Sequence, residues 1–325
     1  GGPPRFGHLD GVTVGASPQH LEVMPYAVAR SKHVRPALAG DPFNKGSVQD
    51  AHVGADAKYL LTSNLTLDAT INPDFGQVEV DPAVVNLSDF ETFFDEKRPF
   101  FIEGAGIFGF GSFSCMFCSN VSSLESFYSR RIGRAPTGAD LAYDAGKYAD
   151  VPTSSTILGA AKITGRTSNG FTLGLLDATT NRMTARVMDA SGRRFNQTVE
   201  PLTNFFVGRV KRDYLHGNLV IGAIGTSVVR GLDSTFESRL NRHSEMVGSD
   251  IRYTWDNQQY SLIASAALSS ISGDSQAVLR TQRSSAHYFQ RPDRREGHGG
   301  LFSSRYDSSA TSLQGLGAYA RVAKD

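Results

Sequence analysis

Long apolar runs are missing from this chain of 325 residues. No stretch approaches the 18 or so consecutive apolar residues of a membrane helix, which excludes a helical membrane protein. A β-barrel stays open, because its hydrophobicity is spread over alternate residues. Neither sign of charge prevails: 33 Lys and Arg face 32 Asp and Glu, for a formal net charge of +1. No nucleic-acid surface is therefore expected. Charged residues make up 20% and apolar ones 40%, which excludes disorder. The histidines are scattered, and neither His-x-x-x-His nor His-Glu-x-x-His occurs, so a zinc hydrolase has no support. Gly-x-Ser-x-Gly, a phosphate-loop motif and a dinucleotide fingerprint are also absent.

Cysteine is nearly absent. The two present form Cys115-Met-Phe-Cys118, a spacing used by redox motifs, half zinc sites and short-loop disulfides. No second pair exists, no His follows Cys118, and no βαβ pattern surrounds it. Cys115 and Cys118 are a disulfide candidate, with free thiols as the next reading and metal or redox chemistry behind both. The chain opens "GGPPRFGHLDG", without an initiator Met or a signal-peptide pattern, and its end, "LGAYARVAKD", reads as mid-strand. It reads as an internal piece of a longer protein, incomplete at the C-terminus, with any export signal upstream.

What the sequence does have is alternation. Val53, Ala55, Ala57, Tyr59 and Leu61 fall on one face of a strand, with Gly54, Asp56, Lys58 and Thr62 on the other. After Ser63-Asn64 the pattern resumes, Leu65, Leu67, Ala69 and Ile71 against Thr66, Asp68, Thr70 and Asn72. Three more hairpins are expected: Ile157–Arg166 with Phe171–Thr180, Phe205–Tyr214 with Leu219–Val229, and Val247–Trp255 with Tyr260–Ser269. Single strands are expected at Leu21–Ala29 and Ser312–Val322. Tight turns alternate strictly with long connections (30–50, 72–154, 181–202, 230–245, 270–309). That places all short turns at one end of an up-and-down sheet, as in outer-membrane barrels, and the strands reach the length of a tilted transmembrane strand. The fold expected is all-β: an antiparallel up-and-down barrel of outer-membrane type over 1–325, whose apolar faces meet lipid and whose polar faces line a wet interior.

Residues 72–154 hold the unusual sequence. A strand-like stretch is expected at Gln77–Val80 and a helix at Ser88–Glu96, with Ser88 and Glu91 as a capping box and Pro99 as the stop. Seven phenylalanines between Phe90 and Phe110 imply a small core, so the insert is expected to fold back as a plug or cap. Asp74, Glu79 and Asp81 sit close together in it. They suit ion pairs with Lys97, Arg98, Arg130, Arg131 and Arg134 first, a cation such as Ca²⁺ second, and paired-acid catalysis last. Glu103 joins the same set of candidate interior ion-pair residues. The basic runs "FYSRRIGR" (127–134) and "RPDRR" (291–295) would pair with carboxylates, or favour anionic solutes in a lumen.

"NPDFGQVEVDPAVVNLSDFETFFDEKRPFFIEG" closely resembles the signature of a bacterial family carrying a C-terminal domain of unknown function, number 5916. "FYSRRIGR" and "RTQRSSAHYFQRPD" (280–293) resemble two further blocks of it, and "PPRFGHLDG" the junction before it. The resemblance implies an exported outer-membrane protein, often fused to a module similar to carbohydrate-binding family 9. It implies no catalytic residues. Three functions remain open: an outer-membrane protein for passage, docking or display of a glycan or peptide ligand, an envelope glycoside hydrolase-like enzyme, or a soluble β-sandwich carbohydrate-binding module. The enzyme would use two of Asp74, Glu79, Asp81, Glu91 and Glu103. The first leads, with lipid as partner, no resident cofactor except a possible Ca²⁺, and no oligomeric state set by the sequence.

Overall fold

Alternating sequence becomes a single broad sheet. A computed structural model describes residues 20–33, 40–43, 46–73, 93–111, 126–284 and 306–324. Its main sheet has ten strands: β1 (Leu21–His33), β2 (Ser47–Thr62), β3 (Leu65–Ile71), β5 (Ile157–Arg166), β6 (Phe171–Thr180), β9 (Leu202–Tyr214), β10 (Leu219–Gly231), β11 (His243–Trp255), β12 (Tyr260–Ser272) and β13 (Ser312–Lys324). They pair antiparallel in chain order. All four tight turns, at 63–64, 167–170, 215–218 and 256–259, lie at one end. The barrel expected from the sequence is not closed: β1 and β13 have no partner on their outer edges among the described residues.

The register assigns every side chain to a face. One row crosses the whole sheet as Leu21, Tyr59, Leu67, Ile163, Leu175, Gly208, Gly225, Val247, Leu268 and Leu316. It contains no charge, and its members are open to the surroundings, Val247 by 60% and Leu316 by 51%. The adjacent row on the opposite face reads Glu22, Lys58, Asp68, Lys162, Leu176, Val207, Thr226, Met246, Ser269 and Gly315. There Asp68, Lys162, Thr70, Thr164 and Arg209 are buried. Buried charged and hydroxyl groups among the inner side chains, with exposed aliphatic groups on the outer face, depart from the usual order of a water-soluble sheet.

The insert buries the polar face. Phe101, Phe108 and Phe110 form one core with Ile157 and Ala160 of β5, Leu176 and Ala178 of β6, Val207 of β9, Ile224 of β10 and Ala267 of β12. Glu103 meanwhile reaches Lys58 on β2. A segment of about ten residues touches both halves of the sheet, so the sheet curls around it. Close approach requires glycine on the strands. A Cβ on Gly248 would lie 2.6 Å from Phe110 Cζ, and one on Gly174 would lie 2.8 Å from Ile107 Cγ2.

The helix expected at Ser88–Glu96 is corrected where it is described: residues 93–96 are not helical. A short α1 (Pro99–Ile102) starts at the proline instead. Pro fits the first helical position, where its missing N–H is not needed. Residues 74–92, with the expected strand at Gln77–Val80, lie outside the described residues.

The long connections carry structure that the sequence reading passed over. β4 (Tyr148–Asp150), β7 (Met183–Met188) and β8 (Arg194–Glu200) form a second sheet. With α2 (Ala139–Ala145) it encloses a small core of Ala142, Ala185, Val187 and Val199. β7 starts three residues after β6 ends and β8 stops two before β9 begins, so this layer extends the β6–β9 pair past the long-loop end. A third helix, α3 (Ser275–Arg283), follows β12; Asp274 caps it by accepting from Gln276 N.

Candidate functional site

Two stretches of the insert are clipped together by one arginine. Arg98 donates from Nε to Glu96 Oε1 (2.8 Å) and from Nη2 to Glu96 Oε2 (2.7 Å). Its Nη1 and Nη2 also reach the carbonyls of Ile132 (2.6 Å) and Ser129 (2.8 Å). Ser129 Oγ donates to Glu96 Oε2 at 2.5 Å, and the guanidinium lies 4.2 Å from the centre of the Phe101 ring. Burial alone would raise the Glu96 carboxyl. The hydrogen bonds from Arg98 and Ser129 and the charge of Arg98 outweigh it and pull the pKa down to about 2. Tyr128 extends the clip, its hydroxyl donating to Phe94 O (3.0 Å) and accepting from Phe94 N (2.9 Å). Arg130 Nη1 donates to Asp95 O at 2.7 Å. Thus "FFDEKRPFF" and "FYSRRIGR" fold as one unit.

A second set of charges anchors that unit to the sheet. Lys162, 2% exposed, donates to the carbonyls of Phe100 and Glu103 and lies 3.7 Å from Asp68 Oδ2. Lys58 is hydrogen-bonded to Glu103. That bond first, then the charges of Lys58 and Lys162, lowers the Glu103 pKa against a partial rise from burial. Deeper along the same face, Arg209 forms a two-pronged pair with Asp250, both contacts 2.7 Å. The Arg209 guanidinium lies 5.7 Å from the Phe110 ring centre.

Two cavities flank the turn at 130–134. One, of about 660 Å³, is lined by Arg30, Lys97, Arg98, Arg130 and Arg134 against Asp50 and Glu96. The other, of about 350 Å³, is lined by Arg131, Arg134 and Arg230, with Glu200 as its single carboxylate among the described residues and Phe93, Phe127 and Phe205 among its apolar walls. Arg134 and Ser155 border both.

The candidates named from sequence therefore separate. Lys97, Arg98, Arg130 and Arg134 meet around the larger cavity and Arg131 joins Arg134 at the smaller, while Glu103 points to Lys58. Asp74, Glu79, Asp81, Glu91, Cys115, Cys118 and the basic run at 291–295 lie outside the described residues. Among the described residues no group of three His, Cys, Asp or Glu is placed to hold a metal. The sequence reading missed Ser155, Lys162, Arg209 and Arg230. Arg230 carried a signal: it continues the even-numbered register of β10 through Gly222, Ile224, Thr226 and Val228 on the insert-facing side.

Residues 17–298 match the family model described as Domain of unknown function (DUF5916). The chain belongs to this family. Two of the sequence blocks that mark the DUF5916 resemblance, around Arg98 and around Ser129, are the halves of the clip. No curated protein matches the chain. Among solved structures it is similar to OmpTdeltaL8, the loop L8 deletion mutant of OmpT, an outer membrane protein of Vibrio cholerae. That likeness has 9% identity and a TM-score of 0.23, over 78% of this chain and 83% of the other. It is too slight to bear on the fold of a DUF5916 domain. No helix among the described residues is long and apolar enough to cross a membrane.

Proposed function

We propose that this DUF5916 chain is the main part of an outer-membrane β-barrel, with the insert as its plug, and that it docks or passes a glycan- or peptide-like ligand without covalent chemistry. The uncharged outward row carries this reading. Each aliphatic member of the row would gain about 1.5–3 kcal/mol on leaving water, so a face built this way across ten strands calls for an apolar medium. Among the described residues no second sheet covers it, as a β-sandwich would require.

Zoning along the strands supports the same reading. Aromatic side chains gather among the outward residues near the tight turns: Phe171, Tyr214, Tyr253, Trp255 and Tyr260. Tyr253 stacks on Trp255 at 5.3 Å between ring centres and Trp255 on Tyr260 at 5.6 Å. Arg212 lies over Phe171 and Tyr214, and Lys324 over Tyr260. Such a girdle with cations reaching past it suits a lipid–water interface. Near the long loops the outward row becomes Asp177, Phe206, Ser227, Glu245, Ser270 and Gln314. The ten steps from Glu245 to Trp255 span about 34 Å at about 3.4 Å each, or about 26 Å after a tilt of about 40°. That matches the apolar height of an outer-membrane barrel, about 25 Å. Closure would join β1 and β13, which run antiparallel, directly or through further strands.

The test is the behaviour of the purified full chain toward lipid. Detergent-dependent solubility and co-flotation with phosphatidylethanolamine–phosphatidylglycerol vesicles are expected. A monodisperse, detergent-free monomer that stays below the vesicles on flotation would overturn the assignment.

A further inference from the structure

We infer that the cavity of about 350 Å³ beside the Arg130–Arg134 turn is a binding site for a small organic carboxylate carried on a ring. Arg131 and Arg134 approach it from the insert and Arg230 from the end of β10; both insert arginines lie within electrostatic reach of Arg230. Glu200, the one carboxylate on its wall among the described residues, is already engaged: its Oε2 accepts from Thr137 N and Thr137 Oγ1, both at 2.6 Å. Arg134 and Arg230 thus border a cavity whose described carboxylate is already engaged, and the arginine fork matches a carboxylate in shape.

A second observation points to a ligand. Ser155 is 7% exposed and lines the cavity, and its buried Oγ has no hydrogen-bond partner among the described residues. Ser126 Oγ, from another residue lining the cavity, is likewise unpartnered among the described residues. Buried hydroxyls are normally paired, and two facing one cationic cavity are suited to a polar guest. The remaining wall of Phe93, Phe127 and Phe205 offers ring faces to the apolar body of that guest. The volume lies at the low end for small-molecule sites and is too small for a folded segment. This deepens the ligand-docking role proposed above and rests on that reading for the side from which the ligand enters.

The probe is 1-naphthoate, followed by equilibrium dialysis against the full chain in lipid nanodiscs, with empty nanodiscs as background. Saturable binding is expected, weakened at least ten-fold in Arg134→Gln and in Arg230→Gln, while neutral 1-naphthylmethanol stays at background. Equal binding by wild type and Arg134→Gln, or equal binding of the neutral alcohol, would overturn the site. Displacement of the probe by equimolar inorganic phosphate would overturn the ring-bearing part of the assignment. Arg134 is exposed, so its replacement tests the site even if Arg230→Gln fails to fold. Probe binding by a detergent-free monomer would sink the membrane assignment and leave the site standing.

Discussion

Lys162 shows what the interior charges do at the scale of a single residue. It is buried, its ammonium is held by two carbonyls of the insert, and Asp68 lies beside it. Replacing it by Ala leaves both carbonyls without their donor and Asp68 without its nearest cation, at a cost of about 3–5 kcal/mol. Denaturant unfolding of Lys162→Ala in micelles should show that loss, with early tryptic release of the insert. Arg209 and Asp250 allow a sharper comparison. Either single truncation should cost about 3–5 kcal/mol, whereas the double change Arg209→Met with Asp250→Leu should cost less than either. Glu96 ties the clip to pH. Its folded pKa, about 2, lies below the ordinary 4.5, so its contribution is complete above about pH 4.5 and is lost as pH falls through 2. The gap corresponds to about 3 kcal/mol. Protease resistance of the insert should therefore decline between pH 4.5 and 2, and Glu96→Gln should flatten that profile. Apart from the Glu96–Arg98 pair, two residues apart, these roles could not be read at their own positions, because they depend on partners 30 to 100 residues away.

At the scale of elements, the hairpins were legible because a strand with two different environments writes a period of two into its sequence. The strands around Ser63-Asn64 and 167–170 match their expected limits or overlap them closely, and β9 to β12 extend theirs by a few residues. The β4–β7–β8 layer was not legible. Its strands run three to seven residues, and its core consists mostly of Ala and Val, too little for a periodic signal. α3 did carry a signal, an aspartate cap followed by Ala-Val-Leu, hidden inside a stretch read as loop. Pro99 is ambiguous in sequence because proline both ends and begins helices, and the packing of the residues after it decides between the two. The strand glycines give the test at this scale. In Gly248→Val the new side chain meets the Phe110 ring and Ala266 O, so the insert should shift, at a cost of about 1–3 kcal/mol. Gly225→Val, on the uncovered face with nothing but Met246 O at 4.0 Å, should be tolerated. Comparative proteolysis of the two variants checks this difference.

For the whole molecule, composition and hairpin order conveyed the sheet and the location of its turns, but sequence alone did not place the insert against particular strands. That arrangement comes from distant pairs such as Lys58 with Glu103 and from phenylalanines that enter gaps left by glycine. The central claim is that the face bearing Val247, Leu268 and Leu316 meets hydrocarbon while the opposite face is closed by the insert. Nitroxide labels at Val247, Leu316 and Ile221, and at inward Thr226 and Ser269, placed one at a time in a chain lacking Cys115 and Cys118 and reconstituted in bilayers, measure it directly. Outward labels should be relaxed by dissolved oxygen and shielded from an aqueous nickel chelate, with the inward labels showing no such preference for oxygen. Equal access of the nickel chelate to both sets would contradict the account.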